Sequence, residues 1–243
     1  MASPAQRRFG SACREPWTPP SPFKHCGKSH DFRIRKWVKG DQGMCDRYRL
    51  EPDWSEFPMF RVPPDFEPKA DVRPTNKVPV IRLVNGEWQT EMRSWGFVRV
   101  KPGRTTRRLT HILFNAVGEE LAAQSPFKKA FADNRCLIPM SSWYAWPKAG
   151  GMKKWVELGV NGRKIFFAAG LFETSKDALT GKPVETFTMV TLPERELPGT
   201  IPERAPLVLR NQDLMAWCEE GTVGAQSLIS VNPDRAAFCV RLD

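Results

Sequence analysis

Residues 77–97 read KVPVIRLVNGEWQTEMRSWGF, two strand-like apolar runs on either side of Asn85-Gly86. Asn-Gly is the dipeptide that best fits a type I′ turn, whose two central residues both need positive φ, so the stretch predicts a β-hairpin. WVELGVNGRKIFFAAGLFE, residues 155–173, repeats the device about Asn161-Gly162. ETFTMVTL (185–192), APLVLR (205–210) and AFCVRL (237–242) add further apolar, β-branched runs, and RCLIPMSSWYAW (135–146) predicts a buried strand carrying large aromatics. Helical signals are fewer: residues 119–132 form one candidate, and Asn211 is placed to cap another that runs through Cys218. Many short strands with few helices give an α+β class, an antiparallel barrel or pair of sheets with peripheral helices.

This texture begins only at Met44. Residues 1–43 contain five prolines, scattered charges and no sustained period of 2 or 3.6. They predict an N-terminal extension, either a disordered basic arm or sequence translated upstream of a true start at Met44, ahead of a folded domain spanning 44–243. The formal net charge is +10, which by itself suggests a nucleic-acid partner. Its distribution weakens that argument, because residues 1–43 hold nine basic against three acidic side chains, a net +6, and the remaining 200 residues only +4.

No uninterrupted apolar run is long enough to span a bilayer, and no apolar stretch follows the basic N-terminus as in a secretory signal. A cytoplasmic, membrane-free protein is expected, and a monomer. The six cysteines then stay mostly reduced, and none forms a CxxC pair. KHCGKSH brings His25, Cys26 and His30 together, but a structural zinc site needs four closely spaced ligands, so neither a metal nor another cofactor is expected. From Met44 onward the one histidine is His111, flanked by Ile112, Leu113 and Phe114, a setting more typical of a packed residue than of a catalyst.

MCDRY (44–48), RPTNKVPVIR (73–82), WGF (95–97), FNAVGEE (114–120), RCLIPMSSWYAW (135–146), FFAAGLFE (166–173), FTMVTL (187–192) and IPERAPLVL (201–209) follow one another in this chain. In that order they resemble the SOS response-associated peptidase (SRAP) family over nearly everything after Met44. The resemblance implies a mainly antiparallel, barrel-like β fold with peripheral helices. It also implies that Cys45, exposed as the N-terminal residue, reacts through its α-amine and thiol with the ring-opened sugar of an abasic site in single-stranded DNA. The product is a covalent DNA–protein crosslink. The chemistry is reasonable on its own terms: an amine of pKa about 7.7–8.0 and a thiol of about 8.5 are both usable near neutral pH, and together they close a thiazolidine that neither makes alone.

By the same resemblance Asn115 lies near the reacting sugar and Arg47 and Arg204 meet phosphate. Arg99, Lys101, Arg104, Arg107 and Arg108 fall where the family has a DNA-splaying element, and Arg104, Arg107 and Arg108 are read as DNA-binding, with an ordinary solvated charge run as the alternative. The sequence also departs from the pattern. Tyr144-Ala145-Trp146 replaces aromatic-Glu-Trp, Ile201-Pro202-Glu203-Arg204 replaces Ile-His-Asp-Arg, Val117 replaces an arginine and Asp46 a glycine. Acid–base help is worth about 10² to 10⁴ in rate, so the crosslink should form slowly unless Glu119, Glu203 or His111 substitutes. A non-covalent single-stranded-DNA binder and a thiol autopeptidase are the alternatives. Of Trp143, Tyr144 and Trp146, at least two are expected in the core.

Overall fold

The computed structural model describes residues 45–101, 109–123, 126–145, 156–177, 180–193, 204–231 and 238–241. The expected boundary at 43/44, the His25–Cys26–His30 cluster, Trp146, Pro202, Glu203 and the basic residues Arg104, Arg107 and Arg108 lie outside them. Among the described residues the strands are β1 (Tyr48–Leu50), β2 (Lys69–Val72), β3 (Lys77–Val84), β4 (Glu87–Trp95), β5 (Phe97–Lys101), β6 (Leu109–Leu113), β7 (Asn115–Val117) and β8 (Arg135–Met140). They continue with β9 (Ser142–Ala145), β10 (Val156–Val160), β11 (Phe166–Lys176), β12 (Pro183–Pro193), β13 (Arg204–Pro206), β14 (Val208–Leu209) and β15 (Phe238–Arg241). The helices are α1 (Lys128–Asp133), α2 (Leu214–Glu219) and α3 (Thr222–Val231).

β3, β4, β12, β11 and β8 pair in a ring that returns to β3, so five strands close into a barrel. All its pairings are antiparallel except β4 with β12. Closure removes the unpaired edges that an open sheet would expose. A five-stranded sheet in the order β15-β10-β9-β1-β2 packs with it, and β5 and β6 form a separate two-stranded ribbon. The α+β, barrel-like reading of the sequence is therefore the fold observed.

The barrel strands are apolar on consecutive positions because both of their faces are buried. Cys136, Ile138, Phe166, Ala168, Phe187 and Met189 enter a core shared with Tyr48, Leu50, Trp143 and Leu158 of the five-stranded sheet. The alternate residues Leu137, Phe167, Ala169, Leu171 and Val190 enter a second core, covered by Phe131 of α1, Trp217 of α2 and Ile229 of α3. At about 1.5–3 kcal/mol for each large apolar side chain taken from water, these two layers hold the barrel in register. Gly170 of β11 leaves room for β8 side chains: a Cβ there would lie 2.8 Å from Ile138 Cγ1 and 2.9 Å from Cys136 Sγ.

Asn85 and Gly86 take φ values of 51° and 80°, the type I′ signature, and join β3 to β4 as expected. Asn161-Gly162 does not form a second hairpin. Only Gly162 has positive φ (71°), and the Arg163 N–H closes the turn on Val160 O at 3.1 Å. With the positive angle confined to the second central position, the turn sends the chain from β10 in one sheet to β11 in the other. The run 135–146 likewise divides, with β8 in the barrel and β9 in the five-stranded sheet.

The expected helix over 119–132 shortens to a 3-10 turn at Gly118–Glu120 and α1. Pro126 precedes α1 and cannot donate to the preceding turn. Asn211 lies within a 3-10 turn, Asn211–Asp213, rather than capping α2, which starts at Leu214. Arg135, buried at the head of β8, ties α1 and α2 together. It donates to Phe131 O (2.5 Å) and Ala132 O (2.9 Å), to Trp217 O (2.6 Å) and to Glu220 O. These are carbonyls at the C-terminal ends of two helices, which have no intrahelical partners and carry partial negative charge. Among the described residues no helix is long and apolar enough to cross a membrane.

Candidate functional site

β7 brings Asn115 to the site through a series of backbone locks. The Trp95 indole N–H donates to Phe114 O at 2.7 Å, and the same oxygen accepts from Met189 N at 3.1 Å. Gly96 N donates to Phe187 O at 2.6 Å. Gly96 takes φ 117°, and a Cβ there would lie 2.3 Å from Ile112 Cγ2, so the WGF motif needs glycine at its centre. β7 then pairs in parallel with β12, Asn115 opposite Met189.

From this position Asn115 Nδ2 donates to the main-chain oxygen of Cys45 at 2.7 Å, within the buried interior. Its Oδ1 is buried and has no hydrogen-bond partner among the described residues. Cys45, 2% exposed, packs in the first core with Tyr48, Trp143 and Ala145. The Cys45 thiol donates to Arg47 O at 3.4 Å, and Tyr144 N donates to the same oxygen at 3.0 Å, which docks the approach to β1 on β9. Burial pushes the Cys45 thiol far above its usual range and the neighbouring Asp46 charge adds to this, outweighing the hydrogen bond to Arg47 O. The structure thus brings together Cys45, Asn115 and Arg47, three of the residues singled out from sequence.

The Arg47 guanidinium lies 3.6 Å from Asp71, which Arg73 also engages through Nε at 2.8 Å. Arg204 is more fully held. Nη1 and Nη2 meet Glu119 Oε1 and Oε2 at 3.1 and 2.6 Å, and Nε and Nη2 reach Thr191 Oγ1 and O at 3.2 and 2.6 Å. Glu119, a candidate acid–base substitute, is thereby paired with the arginine read as a phosphate ligand. His111 sits on the β5–β6 ribbon opposite Arg99. Arg99 is itself paired with Glu173 at 2.5 and 2.8 Å. Residues 102–108, which join the two ribbon strands, lie outside the described residues.

Trp143 is a core residue at 1% exposure, whereas Tyr144 is only half-buried and donates its hydroxyl to Ala70 O at 2.9 Å. Sequence reasoning did not single out Asp71 or Thr191, whose roles come from contacts made in the folded chain. Arg73 could have been noticed, since it opens the RPTNKVPVIR motif. Among the described residues no group of three or more His, Cys, Asp or Glu side chains is placed to hold a metal ion.

The fold is a closed five-stranded barrel packed with a second sheet and carrying few helices. Residues 44–239 match the profile of the SOS response associated peptidase (SRAP) family, and the chain belongs to that family. It is 24% identical over 181 residues to the abasic site processing protein YoqW of Bacillus subtilis, covering 72% of this chain and 80% of that protein. The abasic site processing protein YobE of the same organism is equally similar, with 81% of its length covered. A crystal structure of a protein from Bordetella bronchiseptica superposes with a TM-score of 0.65 at 18% identity, covering 81% of this chain and 98% of that one. One from Bacteroides thetaiotaomicron gives 0.58 at 19% identity, covering 72% and 78%.

Proposed function

We propose that residues 44–243 form a domain that recognises abasic sites in single-stranded DNA and holds them covalently through Cys45. The observation that carries this reading is the buried Cys45–Asn115 pair at 2.7 Å. It fixes the main chain of the one residue whose amine and thiol, once it is N-terminal, can both attack an aldehyde. The names of the YoqW and YobE relatives, abasic site processing proteins, support the substrate class. The Cys45 α-amine adds to the ring-opened sugar aldehyde and water leaves to give an imine. The thiol then adds to the imine carbon, its proton passing to nitrogen, and the thiazolidine closes. Asn115 Oδ1, an acceptor without a partner among the described residues and beside the Cys45 main chain, is suited to a sugar hydroxyl or the α-amine.

The thiol reacts slowly, because its burial and the Asp46 charge both favour the protonated form. Arg47, Arg204, Arg104, Arg107 and Arg108 supply phosphate contacts, with affinity that falls as salt rises. The protein works as a cytoplasmic monomer without a cofactor. The test incubates protein beginning at Cys45 with an abasic single-stranded oligonucleotide and resolves the products on a denaturing gel. A slow, denaturation-resistant adduct that is lost in Cys45→Ala is expected. Absence of any adduct over hours would leave a non-covalent DNA-binding relative, and an adduct that persists in Cys45→Ala would assign the chemistry to another nucleophile.

A further inference from the structure

The first two strands of the five-stranded sheet set two arginines against each other. β1 and β2 pair antiparallel with Tyr48 opposite Val72, and both of these side chains are buried in the first core. Carried one position toward the chain start, that register puts Arg47 opposite Arg73, and alternation along each strand turns both away from the core. Two like charges directly opposite each other destabilise a strand pair. Asp71 offsets this. Its Oδ2 lies 3.6 Å from Arg47 Nη1 and accepts from Arg73 Nε at 2.8 Å and from Arg73 Nη2.

Arg49, on the same face, is differently placed: it meets Glu157 through Nε and Nη2 at 2.9 and 3.2 Å and Glu51 through Nη1 at 2.8 Å. Arg47 and Arg73 converge instead on one carboxylate oxygen, with the Asp46 charge acting on Arg73 as well. Among the described residues the Arg73 guanidinium donates to Asp71 alone, and 50% of its side chain is accessible to an incoming ligand. Both arginines are anchored beside the site. The main-chain oxygen of Arg47 accepts from the Cys45 thiol at 3.4 Å. The Arg73 main chain is fixed by Asn76, whose Oδ1 accepts from Arg73 N at 3.0 Å and whose N–H donates to Arg73 O at 3.0 Å. In the same turn Thr75 N donates to Trp95 O at 2.8 Å, and the Trp95 indole holds Phe114 O, next to Asn115.

We propose that Arg47 and Arg73 act as a pair on one phosphodiester of single-stranded DNA beside Cys45, and that Asp71 holds the two guanidiniums together when no DNA is bound. This rests on the DNA-binding reading given above and adds Arg73 and Asp71 to it. Two guanidiniums that reach the same carboxylate oxygen are near enough to reach the same phosphate group, whose non-bridging oxygens accept forked N–H donors as a carboxylate does. The phosphate relieves the repulsion between the facing arginines, and Asp71 competes with it for the same donors.

The test titrates the full chain and its variants against an undamaged, fluorescent single-stranded oligonucleotide at several salt concentrations. Adduct formation on an abasic oligonucleotide by parent protein beginning at Cys45 is measured alongside. Arg73→Gln should weaken binding about tenfold at about 50 mM salt, with the loss shrinking as salt rises. Asp71→Asn breaks the same contact but removes the competitor, so it should tighten binding, whereas a merely structural role for the contact would weaken both variants alike. Arg47→Gln should weaken binding by a factor similar to Arg73→Gln. The double variant should fall well short of the product of the two losses, because a grip made by the pair is broken by either change. Arg73→Gln that binds like the parent, Asp71→Asn that weakens binding as Arg73→Gln does, or single losses that multiply in the double variant would each overturn the inference. A parent that forms adduct while Arg73→Gln binds unchanged overturns this inference alone. A parent that shows these binding effects but forms no adduct overturns the covalent reading of Cys45 and leaves the arginine pair standing, and a parent that binds no single-stranded DNA overturns both.

Discussion

Asn115 donates its side-chain N–H to the main-chain oxygen of Cys45 across 2.7 Å, joining residues 70 positions apart inside the first core. Removing the donor leaves a buried carbonyl unpaired. Asn115→Ala should therefore destabilise the fold by about 1–3 kcal/mol. Asn115→Asp should cost more, since an ionised carboxylate would face a carbonyl oxygen in a buried setting. Urea unfolding monitored by tryptophan fluorescence measures both, and the expected order is parent, then Ala, then Asp. Equal midpoints for all three would show that the contact does not hold Cys45.

Arg135 joins the ends of α1 and α2 through one buried guanidinium. Arg135→Met keeps the apolar stem but leaves the carbonyls of Phe131, Ala132, Trp217 and Glu220 without this donor. A loss of about 3–5 kcal/mol is expected, as when one partner of a buried charged network is deleted. Arg135→Lys should recover little, because a single ammonium cannot fork to both helix ends. Guanidinium denaturation gives the values, and a change below about 1 kcal/mol for Met would show that water satisfies these carbonyls equally well.

The β3–β4 hairpin was legible because two consecutive positive φ values demand residues such as Asn-Gly, and the flanking runs supply partners for each other. The same dipeptide at 161–162 was not, since its turn type depends on which sheet accepts the next strand. Residues 135–146 read as one strand because their apolar character is continuous. The division at Ser141 is set by β1, whose Arg49 carbonyl takes the Ser141 N–H at 2.9 Å. α3 carried no signal that sequence reading used: TVGAQSLISV has no charge and several poor helix formers, and it is held by burying Ala225 and Ile229. Among the candidate site residues, Cys45 and Asn115 were legible by motif. The pairing of Arg204 with Glu119, 85 positions away, was not, because local pattern says nothing about contacts of that range.

Stability should fall at alkaline pH. Burial raises the thiols of Cys45 and Cys136 well above their ordinary values, and raises Cys218 to about 12. In the unfolded chain these thiols ionise from about pH 8.5, so there the unfolded state binds fewer protons than the native one. The stability they contribute is complete below that pH and is lost as the pH rises toward the folded values. Each fully buried thiol adds a slope approaching about 1.4 kcal/mol per pH unit once the unfolded form is ionised. Denaturation at pH 8, 9 and 10 under reducing conditions measures the slope. Cys136→Ala should lower it by about that amount, whatever its effect on stability at pH 8, and an unchanged slope would place the alkaline sensitivity elsewhere.

The Glu119–Arg204 pair separates stability from binding. Glu119 is largely exposed, with 42% of its side chain accessible, so breaking the pair should change stability by no more than about 1 kcal/mol. Its effect on charge is larger. Glu119 covers both terminal nitrogens of a guanidinium that Thr191 independently holds in place through Nε and Nη2. Glu119→Gln should therefore leave Arg204 positioned but release its charge toward an incoming phosphate. Affinity for single-stranded DNA is expected to rise, and the slope of log affinity against log salt to steepen by about 0.7, the value for one further phosphate contact on a single strand. Arg204→Gln should flatten that slope by a similar amount if Arg204 meets phosphate when Glu119 is present. In the double variant the slope should follow Arg204→Gln alone if the effect of Glu119 on phosphate binding passes through the arginine. Fluorescence anisotropy titrations at three salt concentrations decide the matter, and slopes equal to that of the parent for both Glu119→Gln and Arg204→Gln would remove Arg204 from the DNA-contacting residues.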